Sequence, residues 1–169
     1  DITAAPGQTP IIDGTTANGA GNPVFKNAAA SCVLTFTGFT FQNFGASSSS
    51  NKIVTAGNDI TVQYTQCTFK DIDVNIFHDP AAASSGTPNK LDRCRVLRTS
   101  TKSLFTEQPG GDWHFLIQNS VLHYAGTDIR QIYIDAGNNN HVNGIVRNCS
   151  LLVEVTDNTG TTNGVIRCG

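Results

Sequence analysis

Apolar and polar positions in this chain repeat a single phrase at near-constant spacing. Leu34-Thr-Phe-Thr-Gly-Phe-Thr-Phe41 returns as Val62-Gln-Tyr-Thr-Gln-Cys-Thr-Phe69 and then around Leu91-Asp-Arg-Cys-Arg-Val96. It returns again as Ile117-Gln-Asn-Ser-Val-Leu122 and as Val146-Arg-Asn-Cys-Ser-Leu151. With Phe39, Cys67, Cys94, Ser120 and Cys149 as the common anchor, the copies stand 28, 27, 26 and 29 residues apart. Three residues before the anchor they read Phe36, Tyr64, Leu91, Ile117 and Val146; two after it they read Phe41, Phe69, Val96, Leu122 and Leu151. A fixed period of this length marks one supersecondary unit stacked on copies of itself. The pattern therefore predicts two inward columns, 36/64/91/117/146 and 41/69/96/122/151.

Within each copy the alternation is that of strands, rich in β-branched and aromatic residues and punctuated by Gly, Asn, Pro and Asp; helical periodicity is absent. A second apolar element lies between anchors, at Lys52-Ile-Val-Thr-Ala56, Asn75-Ile-Phe-His-Asp79, Ser103-Leu-Phe-Thr-Glu107, Gln131-Ile-Tyr-Ile-Asp135 and Gly164-Val-Ile-Arg-Cys168. Three short strands per roughly 28 residues predict an all-β, right-handed parallel β-helix of about six coils, forming one domain over residues 1–169. A sandwich or barrel would also supply many short strands, but not the same inward pattern at one period. Just before each anchor stand Gly38, Gln66, Arg93, Asn119 and Asn148. Gly or a polar residue there suits a tight bend with left-handed backbone angles, and stacked Asn amides can hydrogen-bond along the axis.

These phrases resemble coils of the pectin-lyase-like superfamily of right-handed parallel β-helices. The opening Ile2-Thr-Ala-Ala-Pro-Gly-Gln-Thr-Pro-Ile-Ile-Asp-Gly14 is similar to the first coils of secreted bacterial members. Leu34 to Phe41 and Arg147-Asn-Cys-Ser150 are similar to ordinary coils of the class. The resemblance implies an architecture shared by polysaccharide lyases, glycoside hydrolases, phage tailspikes and surface proteins, and fold alone does not choose among them.

Composition narrows the field. Charged residues make up 14% of the chain against a typical ~25%, and the net charge of −2 leaves no electrostatic footprint for nucleic acid or an anionic membrane. No apolar run approaches the ~20 residues needed to span a bilayer. The lack of Met, with Asp at position 1, suggests an excised or processed piece of a longer β-helix. Five Cys, three of them at the anchor position, read as small buried hydrophobes rather than a disulfide framework, although stacked neighbours could pair.

Chemistry is most readily sought in the second strand, where Ile76-Phe77-His78-Asp79, Leu104-Phe105-Thr106-Glu107 and Ile132-Tyr133-Ile134-Asp135 align at a spacing of 28. If Ile76, Leu104 and Ile132 point inward, alternation turns Phe77, Phe105 and Tyr133 outward as a carbohydrate-stacking stripe. Asp79, Glu107 and Asp135 then form a carboxylate stripe beside it, the candidate catalytic residues. The competing readings are that these carboxylates begin turns and that the aromatics belong to the core. No metal or cofactor is expected beyond weak Ca²⁺ on that carboxylate column.

The resemblance also implies enzyme signatures that this chain lacks: the Asn-Thr-Asp, Asp-Asp and Gly-His-Gly stretches of polygalacturonase-like members, and the Trp-Ile-Asp-His-type strand of pectate-lyase-like ones. Arg93, Arg95 and Arg98 crowd one repeat as a solvated face; His78, His114, His123 and His141 lack metal-ligand spacing. Asn148-Cys-Ser150 matches a glycosylation sequon but falls in the tight bend. The expected function is a structural or glycan-facing module, extracellular or on a virion surface, such as a phage spike, fibre or decoration or a bacterial surface protein. Its partners would be polysaccharide or other protein subunits, a homotrimer among them, and not nucleic acid. The alternative is a lyase or glycoside hydrolase domain acting on an acidic polysaccharide.

Overall fold

Strand propensity and the repeating inward pattern produce parallel sheets. The computed structural model describes residues 1–14, 25–26, 32–44, 53–55, 60–72, 76–77, 87–98, 113–126, 130–134, 142–155 and 164–168. Among them the strands are, in chain order, β1 (Ile2–Thr3), β2 (Ile11–Asp13), β3 (Phe25–Lys26), β4 (Cys32–Thr37), β5 (Thr40–Phe44), β6 (Val54–Thr55), β7 (Ile60–Thr65) and β8 (Thr68–Ile72). They continue as β9 (Asn89–Asp92), β10 (Arg95–Arg98), β11 (Trp113–Gln118), β12 (Val121–Gly126), β13 (Arg130–Ile134), β14 (Val142–Arg147), β15 (Ser150–Val155) and β16 (Gly164–Cys168). No helix occurs among the described residues.

Twelve of these strands form two six-stranded parallel sheets, ordered β1-β4-β7-β9-β11-β14 and β2-β5-β8-β10-β12-β15, while β3 pairs with β6 and β13 with β16. Each strand bonds to its counterpart one repeat away, an arrangement consistent with a parallel β-solenoid. The registers place Phe36 beside Tyr64, Tyr64 beside Leu91, Leu91 beside Ile117, and Ile117 beside Val146. In the other sheet Phe41, Phe69, Val96, Leu122 and Leu151 follow one another in the same way. Both predicted columns are therefore present. Every member is buried except Val146 and Leu151, on the outermost strands of the two sheets, which are half-buried. The structure extends the columns by one strand, to Ile2 beside Phe36 and Ile12 beside Phe41.

Aromatic rings fill the first turns of the core. Phe36 stacks on Tyr64 at 5.5 Å and Phe41 on Phe69 at 5.2 Å, one pair in each column. Across the interior the pairs meet edge to face, Phe36 with Phe41 at 5.6 Å and Tyr64 with Phe69 at 5.0 Å, the geometry the ring quadrupole prefers. Ile53, Ile76 and Phe77 belong to the same core cluster. The Tyr64 hydroxyl donates to the Ile76 carbonyl at 3.5 Å, and burial pushes its phenol well above the ordinary range.

Each corner between the two sheets is turned by one residue with left-handed backbone angles: Gly38, Gln66, Arg93, Asn119 and Asn148, with φ from 52° to 81°. These are the positions the sequence marked for a tight bend. The corner is held by backbone bonds to the next repeat, such as Gln66 N to Asp92 O at 2.9 Å and Arg95 N to Cys67 O at 2.9 Å. Two further left-handed residues, Asn43 and Asp71, lie inside β5 and β8 and leave the ladder unpaired at that point. They put Phe44 and Ile72 inward three residues after Phe41 and Phe69, whereas in β12 Tyr124 is buried two residues after Leu122. One left-handed residue shifts the alternation and so the face that follows it.

Candidate functional site

Phe77, expected outside as a sugar-stacking ring, is 1% exposed and packs at 5.6 Å against Tyr64. The alternation argument fails there because residues 76–77 form a bend and an isolated bridge rather than a regular strand. Both Ile76 and Phe77 consequently enter the core. Tyr133 lies in β13 opposite Arg167. Asp79, Glu107, Asp135 and Phe105 fall outside the described residues, as do His78 and His141.

The outer face of the first sheet carries a feature that the sequence did not single out. In β11, Phe115 and Ile117 are buried, so His114 and Leu116 face outward; in β14, Asn143 and Ile145 stand beside them in register. Together with Pro88 they line a groove of about 280 Å³ that also touches Phe115 and Gly144. Ile145 is 56% exposed. The outward column runs Thr35, Gln63, Lys90, Leu116 and Ile145, so it changes from polar to apolar at this groove. The backbone beneath is fitted closely: the Phe115 ring occupies the space a side chain at position 144 would need, and a Cβ on Gly144 would lie 1.9 Å from Phe115 Cζ. Chemically the groove offers two branched apolar side chains flanked by an imidazole and a carboxamide. That combination can cover a sugar's C–H face and hydrogen-bond its hydroxyls, and the volume lies just below the ~300–1,000 Å³ of small-molecule pockets. Its lining contains no carboxylate.

A polar ladder runs beside the corners. Asn119 Nδ2 donates to Asp92 Oδ1 at 3.0 Å, and Asn148 Nδ2 donates to Asn119 Oδ1 at 3.4 Å, the amide stacking expected along the axis. Arg147 Nε donates to Gln118 Oε1 at 3.0 Å, while Arg93 Nε lies 3.5 Å from Asp92 Oδ2. Burial acts to raise the Asp92 carboxyl. Hydrogen bonds from Asn119 and Gln118, together with the charges of Arg93 and Lys90, outweigh it and hold the group below its ordinary value. Earlier in the stack Asp13 Oδ2 accepts from Gln42 Nε2 at 2.8 Å and Asn43 Nδ2 at 2.9 Å. On the second sheet's outer face His123 Nε2 lies 3.4 Å from Glu154 Oε1. Arg93, Arg95, Asn148 and Glu154 are exposed. Among the described residues no three His, Cys, Asp or Glu side chains gather as a metal site, and no helix is long and apolar enough to cross a membrane.

The anchor column is sulfur-rich. Cys67 and Cys94 are free and each 1% exposed; Cys149, also free, is half-buried on its outermost turn. Comparison with protein-family models, curated proteins and solved structures finds no match.

Proposed function

We propose that the chain is a right-handed parallel β-helix of about six coils, pectin-lyase-like in architecture, that serves as an extracellular or virion-surface module facing polysaccharide. The observation carrying this reading is the outer groove, where Leu116 and Ile145 interrupt an otherwise polar column and are flanked in register by His114 and Asn143. A stack whose interior is committed to packing has only its outer faces and loops left for recognition. An apolar step beside paired polar groups on such a face suits a saccharide surface better than a charged polymer.

The test is a binding titration against a panel of neutral and uronic-acid polysaccharides, with Ile145→Arg as the comparison. Saturable binding to one glycan class, lost in Ile145→Arg while the melting temperature is unchanged, is expected. Binding that survives Ile145→Arg would remove the groove from the reading. New unsaturated ends appearing in the uronic-acid arm, followed by absorbance, would replace the module reading with a lyase.

A further inference from the structure

The corner geometry brings two sulfur atoms together for a reason the packing of apolar residues does not require. Cys67 and Cys94 directly follow the left-handed residues Gln66 and Arg93, and backbone bonds on both sides lock their relative height. Thr68 is in register with Arg95, so the two Cys are adjacent members of a parallel ladder. Such neighbours lie about 4.8 Å apart, inside the ~4.4–6.8 Å Cα separation that a disulfide spans. Their side chains point the same way. Cys67 Sγ lies 3.5 Å from Phe36 O and 3.4 Å from Thr65 O, and Cys94 Sγ lies 3.4 Å from both Tyr64 O and Asp92 O. Each thiol therefore faces the repeat before it, and the two sulfurs are close enough to perturb one another's ionisation. Cys149 is separated from the pair by Ser120, whose hydroxyl donates to Gln118 O at 2.7 Å and accepts from Cys94 N at 3.0 Å. Within the column, adjacent thiols occur once.

We propose that Cys67 and Cys94 are an oxidation site, at which a small peroxide converts the pair to a disulfide stapling two consecutive repeats. Both thiols are almost wholly buried, so the oxidant has to be small enough to reach them through local opening of the corner. The Cys67 thiolate attacks one peroxide oxygen, the O–O bond breaks, and Cys67 carries a sulfenic acid while hydroxide leaves. Cys94 sulfur then attacks Cys67 sulfur; the S–S bond forms, the S–O bond breaks, and a second hydroxide leaves. The two thiol protons neutralise the hydroxides, so two thiols and one peroxide give one disulfide and two waters. Interaction between the two sulfurs holds the Cys67 thiol below its ordinary range, and the same interaction together with burial pushes the Cys94 thiol up, so Cys67 is assigned as the nucleophile and Cys94 as the resolving partner.

The experiment treats the folded protein with hydrogen peroxide, blocks remaining thiols after unfolding, and maps tryptic peptides by mass. The expected product is the Cys67 peptide joined to the Cys94 peptide, two hydrogens lighter than their sum, with a raised melting temperature that dithiothreitol reverses. Cys94→Ser should abolish it, and serine is already accommodated in this column at Ser120; Cys149→Ser should leave it intact. Recovery of both Cys67 and Cys94 as blocked thiols or sulfinic acids, with no joined peptide, would overturn the proposal. So would a joined peptide linking Cys149 to either. Because the readout is covalent mass, it stands or falls independently of any glycan binding.

Discussion

Truncating Phe69 to alanine tests the stacked-column arrangement directly. Phe69 is fully buried, lies 5.2 Å from Phe41 in a parallel stack and 5.0 Å from Tyr64 edge to face, and has Val96 beside it one turn further on. Phe→Ala in a core costs about 3–5 kcal/mol, the spread reflecting how far the surroundings can collapse into the cavity. Here they can collapse little. The neighbours on both sides belong to strands fixed in register by their own ladders. Two ring pairs are lost as well, each worth about 0.5–1.5 kcal/mol beyond buried area, although part of that is already counted in the truncation range. The expected loss is therefore in the upper half, about 4–5 kcal/mol. The measurement is equilibrium unfolding in urea followed by circular dichroism, with Lys70→Ala as an exposed control expected within about 0.5 kcal/mol of the parent. A Phe69→Ala loss below about 1 kcal/mol, at unchanged denaturant slope, would mean that Phe69 is not held between rigid turns. A reduced slope or a second transition would instead show the stack losing turns separately, as quasi-one-dimensional repeats can.

Gly144→Ala should destabilise by about 1–3 kcal/mol, because its Cβ would lie 1.9 Å from Phe115 Cζ and force the ring from its site. In a double-mutant cycle Phe115→Leu should recover part of that loss, and strict additivity would refute the ring-over-glycine contact. For Asp92 the folded carboxyl sits below its ordinary value, so it contributes stability that is fully present above the unfolded value of about 3.9 and is lost as pH falls through the folded one. Denaturation midpoints measured from neutral to acid pH should fall less steeply in Asp92→Asn than in the parent. Identical acid limbs would remove Asp92 from the account.

The fold was legible wherever every repeat meets the same neighbours. Residue 64 can only stack on its counterparts at 36 and 91, so burial of one fixes the face of all, and the columns came out in register. The corner residues were legible for the same reason, since Gly and Asn tolerate the left-handed angle and recur at one position. Phe77 was misplaced because a period of two holds only along an extended strand, and its segment is a bend. Asn43 and Asp71 carried a readable signal, being residue types that accept positive φ, but their place inside strands hid it. The anchor reading of three buried thiols holds for Cys67 and Cys94 and only partly for Cys149, which is half-buried beside the outermost described strands of the two sheets.

The groove had a signal too, of a different kind. Periodicity identifies the inward residues and says nothing about the positions between them. Their chemistry is where one turn differs from the next. Thr35, Gln63 and Lys90 obey the polar expectation for an outer column, whereas Leu116 and Ile145 break it in adjacent strands. Core packing does not account for Leu116, because the inward positions on either side of it are already filled by Phe115 and Ile117, and Ile145 beside it is exposed. Scattered apolar residues on a surface need no explanation. Two in one column, in register and flanked by His114 and Asn143, form a contiguous apolar surface that water solvates poorly, which is the feature the proposed saccharide reading rests on. In a stack of near-identical turns, a position that departs from its own column is the informative one. By that criterion the outer face at 114, 116, 143 and 145 is the first place to mutate.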